Sequence, residues 1–188
     1  MLFRSVSIAQ LFQNGRWHKT NLIMELNKAL VAYCLRIADN SLIHAQRISE
    51  WTGHGPILEE DIAMSNVALD LIGQARGFYT YASHLDGLSK TEDYYAFHRG
   101  EREYRNRLLV ELPNSKDFGI TMMKIFLNGC FDYLLFRSLM NSKDDTISGL
   151  AAKSLKEVTY HVRHSSDWVI RLGDGTDRKS TRLNSSHL

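Results

Sequence analysis

The amino-acid sequence predicts an all-α protein. Only two prolines, Pro56 and Pro113, occur in 188 residues, and each falls at a natural helix boundary, so long uninterrupted helices are expected between them. Apolar residues recur at alternating steps of three and four, the spacing of a helical seam. No segment shows the two-residue alternation of a strand.

A first long helix is expected from about Glu25 to Trp51, stopped by "TGHGP", where Gly53 suits a left-handed C-terminal residue and Pro56 blocks continuation. The second follows to about Leu85. Glu59, Glu60 and Asp61 in its first turn favour the positive end of the helix dipole, and its seam is Met64, Ala68, Leu71, Ala75, Phe78, Ala82 and Leu85. Residues 91–115 read as one or two short helices, of which "REYRNRLLVEL" is the more convincing, with their charges on a solvated face. A third long helix, capped by Asn114 or Ser115, runs to about Met140. Met122, Met123, Ile125, Phe126, Leu127, Phe131, Leu134, Leu135 and Phe136 make it apolar nearly all round, as a helix in the middle of an assembly is. The fourth begins at "KDD", carries the seam Ala151, Leu155, Val158, Val162, Ser165, Val169 and Leu172, and is expected to end at "RLGDG" with Arg171 and Gly173. The resulting architecture is an up-down four-helix bundle of ferritin-like connectivity, its longer crossover lying between the second and third long helices.

Lys and Arg total 23 against 21 Asp and Glu, with signs interspersed, which gives no argument for nucleic acid or an anionic membrane surface. No stretch reaches the roughly 18 apolar residues of a membrane span. Cys34 and Cys130 stand apart in apolar neighbourhoods, which excludes a disulfide scaffold or zinc knuckle and suits buried thiols in the cytoplasm. The opening 23 residues lack the h-region and cleavage site of a secretory signal.

Ferritin-like bundles that carry two metal ions take a Glu from each of two helices and a Glu-x-x-His from each of the other two. No Glu-x-x-His is present here. In "EVTYH" the acid Glu157 stands four residues before His161, and three before it stands Val158. The second helix has the same layout in "DLIGQ": Asp70, then Leu71 in the seam, then Gln74. On ideal geometry each acid is rotated roughly 100° from the seam residue after it. Both seams are therefore built for packing, with Asp70 and Glu157 beside the axis. His164, outside the seam, reads as a hydrogen-bonded boundary residue. On the first helix Asp39, Asn40 and His44 are polar, and on the third Asn128 and Asp132 share one stripe; a buried Asp132 requires a partner such as Arg or Lys.

Several stretches, "SEWTGHGP", "ALDLIGQAR", "LLVELPN" and "KEVTYHVRHSSDW", occur in an order that closely resembles the C-subunit family of bacterial phenylacetyl-CoA 1,2-epoxidases. The resemblance implies a structural, non-catalytic subunit without metal or cofactor of its own. Its implied partner is the related ferritin-like catalytic subunit (the A component) holding a carboxylate-bridged di-iron centre, with the other oxygenase components as indirect partners. The pathway it implies is aerobic phenylacetate degradation. It also implies that Leu71 and Gln74 occupy one degenerate ligand motif, Val158 and His161 the other, and Asn128 a third ligand position. Members of that family continue with further helices after "RLGDGT", so the chain reads as a C-terminally truncated copy.

On this reading residues 1–23 are a non-native or disordered leader, 24–176 an incomplete ferritin-like bundle, and 177–188 an artefactual disordered tail. Two other readings compete. One is a metal-dependent oxidase with a site of its own built from Asp70, Asp132, Glu157, His161 and His44. The other is a metal-free helical module unconnected with oxygenation.

Overall fold

A computed structural model describes residues 17–113 and 117–185, with side chains at Leu22 and over 24–113 and 117–175. Four long helices dominate: α1 (Trp17–Ser49), α2 (Leu58–Asp86), α5 (Phe118–Leu139) and α6 (Asp145–Ser185). Between α2 and α5 lie α3 (Glu92–Phe97), a 3-10 turn (Glu101–Glu103) and α4 (Leu108–Glu111). No strand occurs among the described residues. The fold is a ferritin-like helical bundle made of two hairpins, α1 with α2 and α5 with α6, joined by packing of α2 on α6.

The turns follow local chemistry. Gly53 and Gly87 both take positive φ, 80° and 63°, and Gly87 caps α2 in the left-handed conformation that a Cβ disfavours. The Asp61 carboxylate folds back onto the first turn, its Oδ2 accepting from the Gly53 N–H at 2.8 Å. Asp117 caps α5 by accepting the Ile120 N–H at 3.1 Å, and Asp144 caps α6 through the Ile147 N–H at 3.0 Å. The caps expected at Asn114 or Ser115 lie outside the described residues.

Two apolar clusters fill the bundle. One joins Cys34, Ala38 and Leu42 to Ala75, Phe78 and Tyr79, and to Phe136, Ala151 and Val158. The other joins Ala45 and Ile48 to Met64, Val67, Ala68 and Leu71, and to Met122 and Ile125. Phe78 and Phe136 stack at 6.0 Å, while Phe118 meets Trp51 and Trp168 edge-on at 5.9 and 5.1 Å. Each such ring pair adds roughly 0.5–1.5 kcal/mol beyond its buried area.

At the α5–α6 crossing a Cβ on Gly129 would stand 3.0 Å from Val162 Cγ2. The helices approach that closely because glycine is there. Gly129→Leu is expected to force them apart and cost about 1–3 kcal/mol, read as a lower urea midpoint at unchanged slope.

Several boundaries differ from the sequence expectation. Helix α1 already runs from Trp17, so residues 17–23 of the expected leader are helical backbone, and residues 1–16 lie outside the described residues. Helix α6 passes through Gly173 without a turn and reaches Ser185, so the stop at "RLGDG" is corrected. Gly173 lowers helix stability by about 1 kcal/mol relative to alanine, which is too little to end a helix of 41 residues. The helix expected across "REYRNRLLVEL" shrinks to the four residues of α4. Cys130 is half-buried; Cys34 is buried, and that burial pushes its thiol up to about 12.

The largest correction concerns the charges of the crossover. Arg99 and Arg107 are not on a solvated face. The Arg99 guanidinium, 5% exposed, donates to both oxygens of Asp39, which is 0% exposed. Asp39 also accepts from the Tyr79 hydroxyl at 2.7 Å and the Arg105 N–H at 2.9 Å. Arg107 donates to Asn40 Oδ1 through its backbone N–H at 2.8 Å and its Nε at 3.1 Å. Its guanidinium then pairs with Asp132 at 2.9 Å. These two arginines fix the crossover against α1, α2 and α5, which a periodicity argument cannot foresee.

Candidate functional site

Each long helix breaks from one apolar cluster to the other at a buried polar side chain: His44 on α1, Gln74 on α2, Asn128 on α5 and His161 on α6. Ser165 and Asp132 belong to the same belt. Periodicity carried these residues inward because seam spacing is indifferent to what occupies the seam.

The two matching pentapeptides meet across α2 and α6, the acid of each pairing with the polar residue of the other. His161 Nε2 lies 3.0 Å from Asp70 Oδ2, and Gln74 Nε2 donates to Glu157 Oε2 at 3.0 Å. One end of each pair is more open, as expected for an acid beside the axis: the Asp70 side chain is 38% exposed and that of His161 3%. Leu71 and Val158 are buried in the apolar clusters. Further along, His164 Nε2 stands 3.0 Å from Glu60 Oε2, off the hydrogen-bonding direction. Sequence reasoning missed Glu60, since a first-turn acid looks like a dipole partner.

Asn128 donates to the Lys124 carbonyl at 3.0 Å, and Lys124 Nζ donates to the Leu112 carbonyl at 2.8 Å. Burial raises the Asp132 carboxyl pKa, and Arg107 works against that rise. His44 is fully enclosed, and neither ring nitrogen has a hydrogen-bond partner among the described residues. Burial pushes its pKa down to about 3, helped by the positive charges of Arg107 and Lys124 and by His161 when that ring is protonated. Burial also lowers the pKa of His161, with Asp70 and Glu157 opposing.

A pH dependence follows. His44 is neutral in the folded protein while an unfolded histidine takes a proton below about 6.5. The associated stability is complete above pH 6.5 and is lost progressively as pH falls toward 3. Between pH 7 and pH 5 the loss is about 2 kcal/mol, and His161 adds to it in the same sense. Urea titrations at the two pH values should show it, and His44→Leu should remove most of it.

The five residues of a self-contained metal site, Asp70, Asp132, Glu157, His161 and His44, are not brought together. Asp132 faces Arg107, Asp70 faces His161, and Glu157 takes the Gln74 amide. Among the described residues, no group of three or more His, Cys, Asp and Glu side chains is placed to hold a metal ion. The donors also do not fit: of the six belt residues Gln74 and Asn128 are amides and Ser165 a hydroxyl, and Arg107 and Lys124 bring positive charge toward His44, where a cation would be repelled.

The sequence profile of the Phenylacetic acid catabolic protein family matches residues 17–186. The chain belongs to this family. Among curated relatives, the C subunit of 1,2-phenylacetyl-CoA epoxidase of Escherichia coli (strain K12) is 45% identical over 154 residues. That alignment covers 82% of this chain and 61% of the relative, so the chain spans about 61% of the length of the relative it matches. In this member of the Phenylacetic acid catabolic family the bundle axis is occupied by side-chain pairs and aliphatic packing. No helix among the described residues is long and apolar enough to cross a membrane.

Proposed function

We propose that this chain is a non-catalytic, structural subunit of a multicomponent phenylacetyl-CoA 1,2-epoxidase acting in aerobic phenylacetate catabolism. Its partner is a catalytic subunit of related ferritin-like fold, whose di-iron centre supplies the oxygen activation. The chain itself binds no metal or cofactor, works in the cytoplasm, and engages neither nucleic acid nor membrane. Support comes first from the 45% identity to the C subunit of such an epoxidase.

The observation that carries the non-catalytic part is the reciprocal pairing of Asp70 with His161 and Gln74 with Glu157 around Leu71 and Val158. Polar groups that ligate a metal must be free to point at it. Here His161 is paired with Asp70 and the Gln74 amide N–H with Glu157, and aliphatic side chains hold the adjacent seam. Such pairs tie α2 to α6 and stiffen the bundle as a support. The role of this chain is then helix-to-helix burial against its partner.

Co-expression of this chain with a catalytic subunit of a phenylacetyl-CoA epoxidase tests the partnership. The two should co-purify through a tag on either one, and ring epoxidation by the assembled components should survive His161→Gln in this chain. Loss of turnover with the complex still intact would contradict the non-catalytic reading.

A further inference from the structure

The side-chain pairs of the belt leave three enclosed polar atoms over. His44 and Gln74 are each 4% exposed, and neither the two His44 ring nitrogens nor Gln74 Oε1 has a hydrogen-bond partner among the described residues. The Gln74 amide is fixed in orientation. Its Nε2 donates at 3.0 Å to a Glu157 carboxylate oxygen, which accepts only, so Oε1 is turned the other way. His44 stands between Leu42 of the first apolar cluster and Ala45 of the second, and Gln74 between Leu71 of the second and Ala75 of the first. Both side chains therefore enter the bundle at the level where the clusters meet, from the paired helices α1 and α2.

Bulk solvent does not reach these atoms, and a buried donor or acceptor left unpaired keeps its whole desolvation cost. What the atoms require identifies what supplies it. A neutral imidazole carries one N–H and one bare nitrogen, so the set requires an acceptor for the N–H and donors for the bare nitrogen and the amide oxygen. An anion offers acceptors only, and would face two lone pairs. A cation offers nothing to the N–H and is opposed by the positive charge of Arg107 and Lys124 that bears on His44. Water supplies both kinds of bond. The two ring nitrogens point apart, so more than one molecule is needed.

We infer that the belt encloses ordered water, held by the His44 ring nitrogens and Gln74 Oε1 as part of the packing between α1 and α2. The inference concerns what completes the hydrogen bonding at the bundle axis, and it is independent of the epoxidase reading. Hydration satisfies the polar atoms that the pairs of α2 and α6 do not reach.

A crystal structure of the full chain tests it, with data also collected at a long wavelength where iron, manganese and chloride scatter anomalously. Oxygen-sized density should stand within hydrogen-bonding distance of both His44 ring nitrogens and of Gln74 Oε1, without anomalous signal. In solution, magnetic relaxation dispersion of water counts the long-lived internal molecules. That count should fall in His44→Leu at unchanged helicity, and the crystal arm needs no variant. An anomalous peak beside the ring overturns the inference. So does a ring whose nitrogens bond protein groups or meet no density, or a folded His44→Leu that keeps the full count.

Discussion

Replacing Arg99 with methionine is expected to destabilise the protein by about 3–5 kcal/mol, the cost of leaving a buried carboxylate without its charge partner. Asp39 is 0% exposed and keeps only the Tyr79 hydroxyl and the Arg105 N–H once the guanidinium is gone. Methionine preserves much of the apolar contact with the Tyr104 ring, over which the Arg99 guanidinium sits at 4.3 Å, so the loss is chiefly electrostatic. The double variant Asp39→Asn, Arg99→Met should lose less than Arg99→Met alone, because an amide is cheaper than a carboxylate to leave short of donors. Urea unfolding of the three variants measures both quantities. A single-variant loss below about 1 kcal/mol would place Arg99 among ordinary surface ion pairs.

Val158→Glu is expected to be similarly costly and is the more informative about function. It creates the Glu-x-x-His spacing with His161 that the chain otherwise lacks. Val158 is 1% exposed, among apolar neighbours of the first cluster. A glutamate there is buried without a partner and should cost about 3 kcal/mol or more. Adding ferrous or manganous ion should not recover the loss. His161 is already engaged by Asp70, Asp132 by Arg107 and Glu157 by Gln74, so one new carboxylate completes no coordination sphere. A metal-dependent rise in the thermal midpoint of this variant would show that the belt can still be assembled as a site.

Much of the bundle was legible because seams record burial directly. The steps of three and four through Met64, Leu71, Ala75 and Phe78 are buried as expected, and so are Ala151 and Val158. The centre of the site was half legible. Leu71 and Val158 could be recognised as seam residues, with Asp70 and Glu157 beside the axis. What they pair with was not, since His161 lies 91 residues from Asp70. The same distance hid the crossover arginines: in "FHRGEREYRNRLL" every charge looks alike, and only the fold places Arg99 beside Asp39 and Arg107 beside Asp132. The end of α6 was misjudged because a single glycine was given more weight than a long helix allows. The third long helix was expected in the middle of an assembly, and within this chain one of its faces is open.

Whether the polar belt is a support or a metal site is decided by the metal content of the purified full chain, expressed with iron in excess and measured by elemental analysis alongside its His161→Ala variant. A structural subunit whose former ligand positions are taken up by pairing and packing should hold iron only at background, with no difference between the two proteins. Roughly two irons per chain, lost on His161→Ala, would overturn that reading.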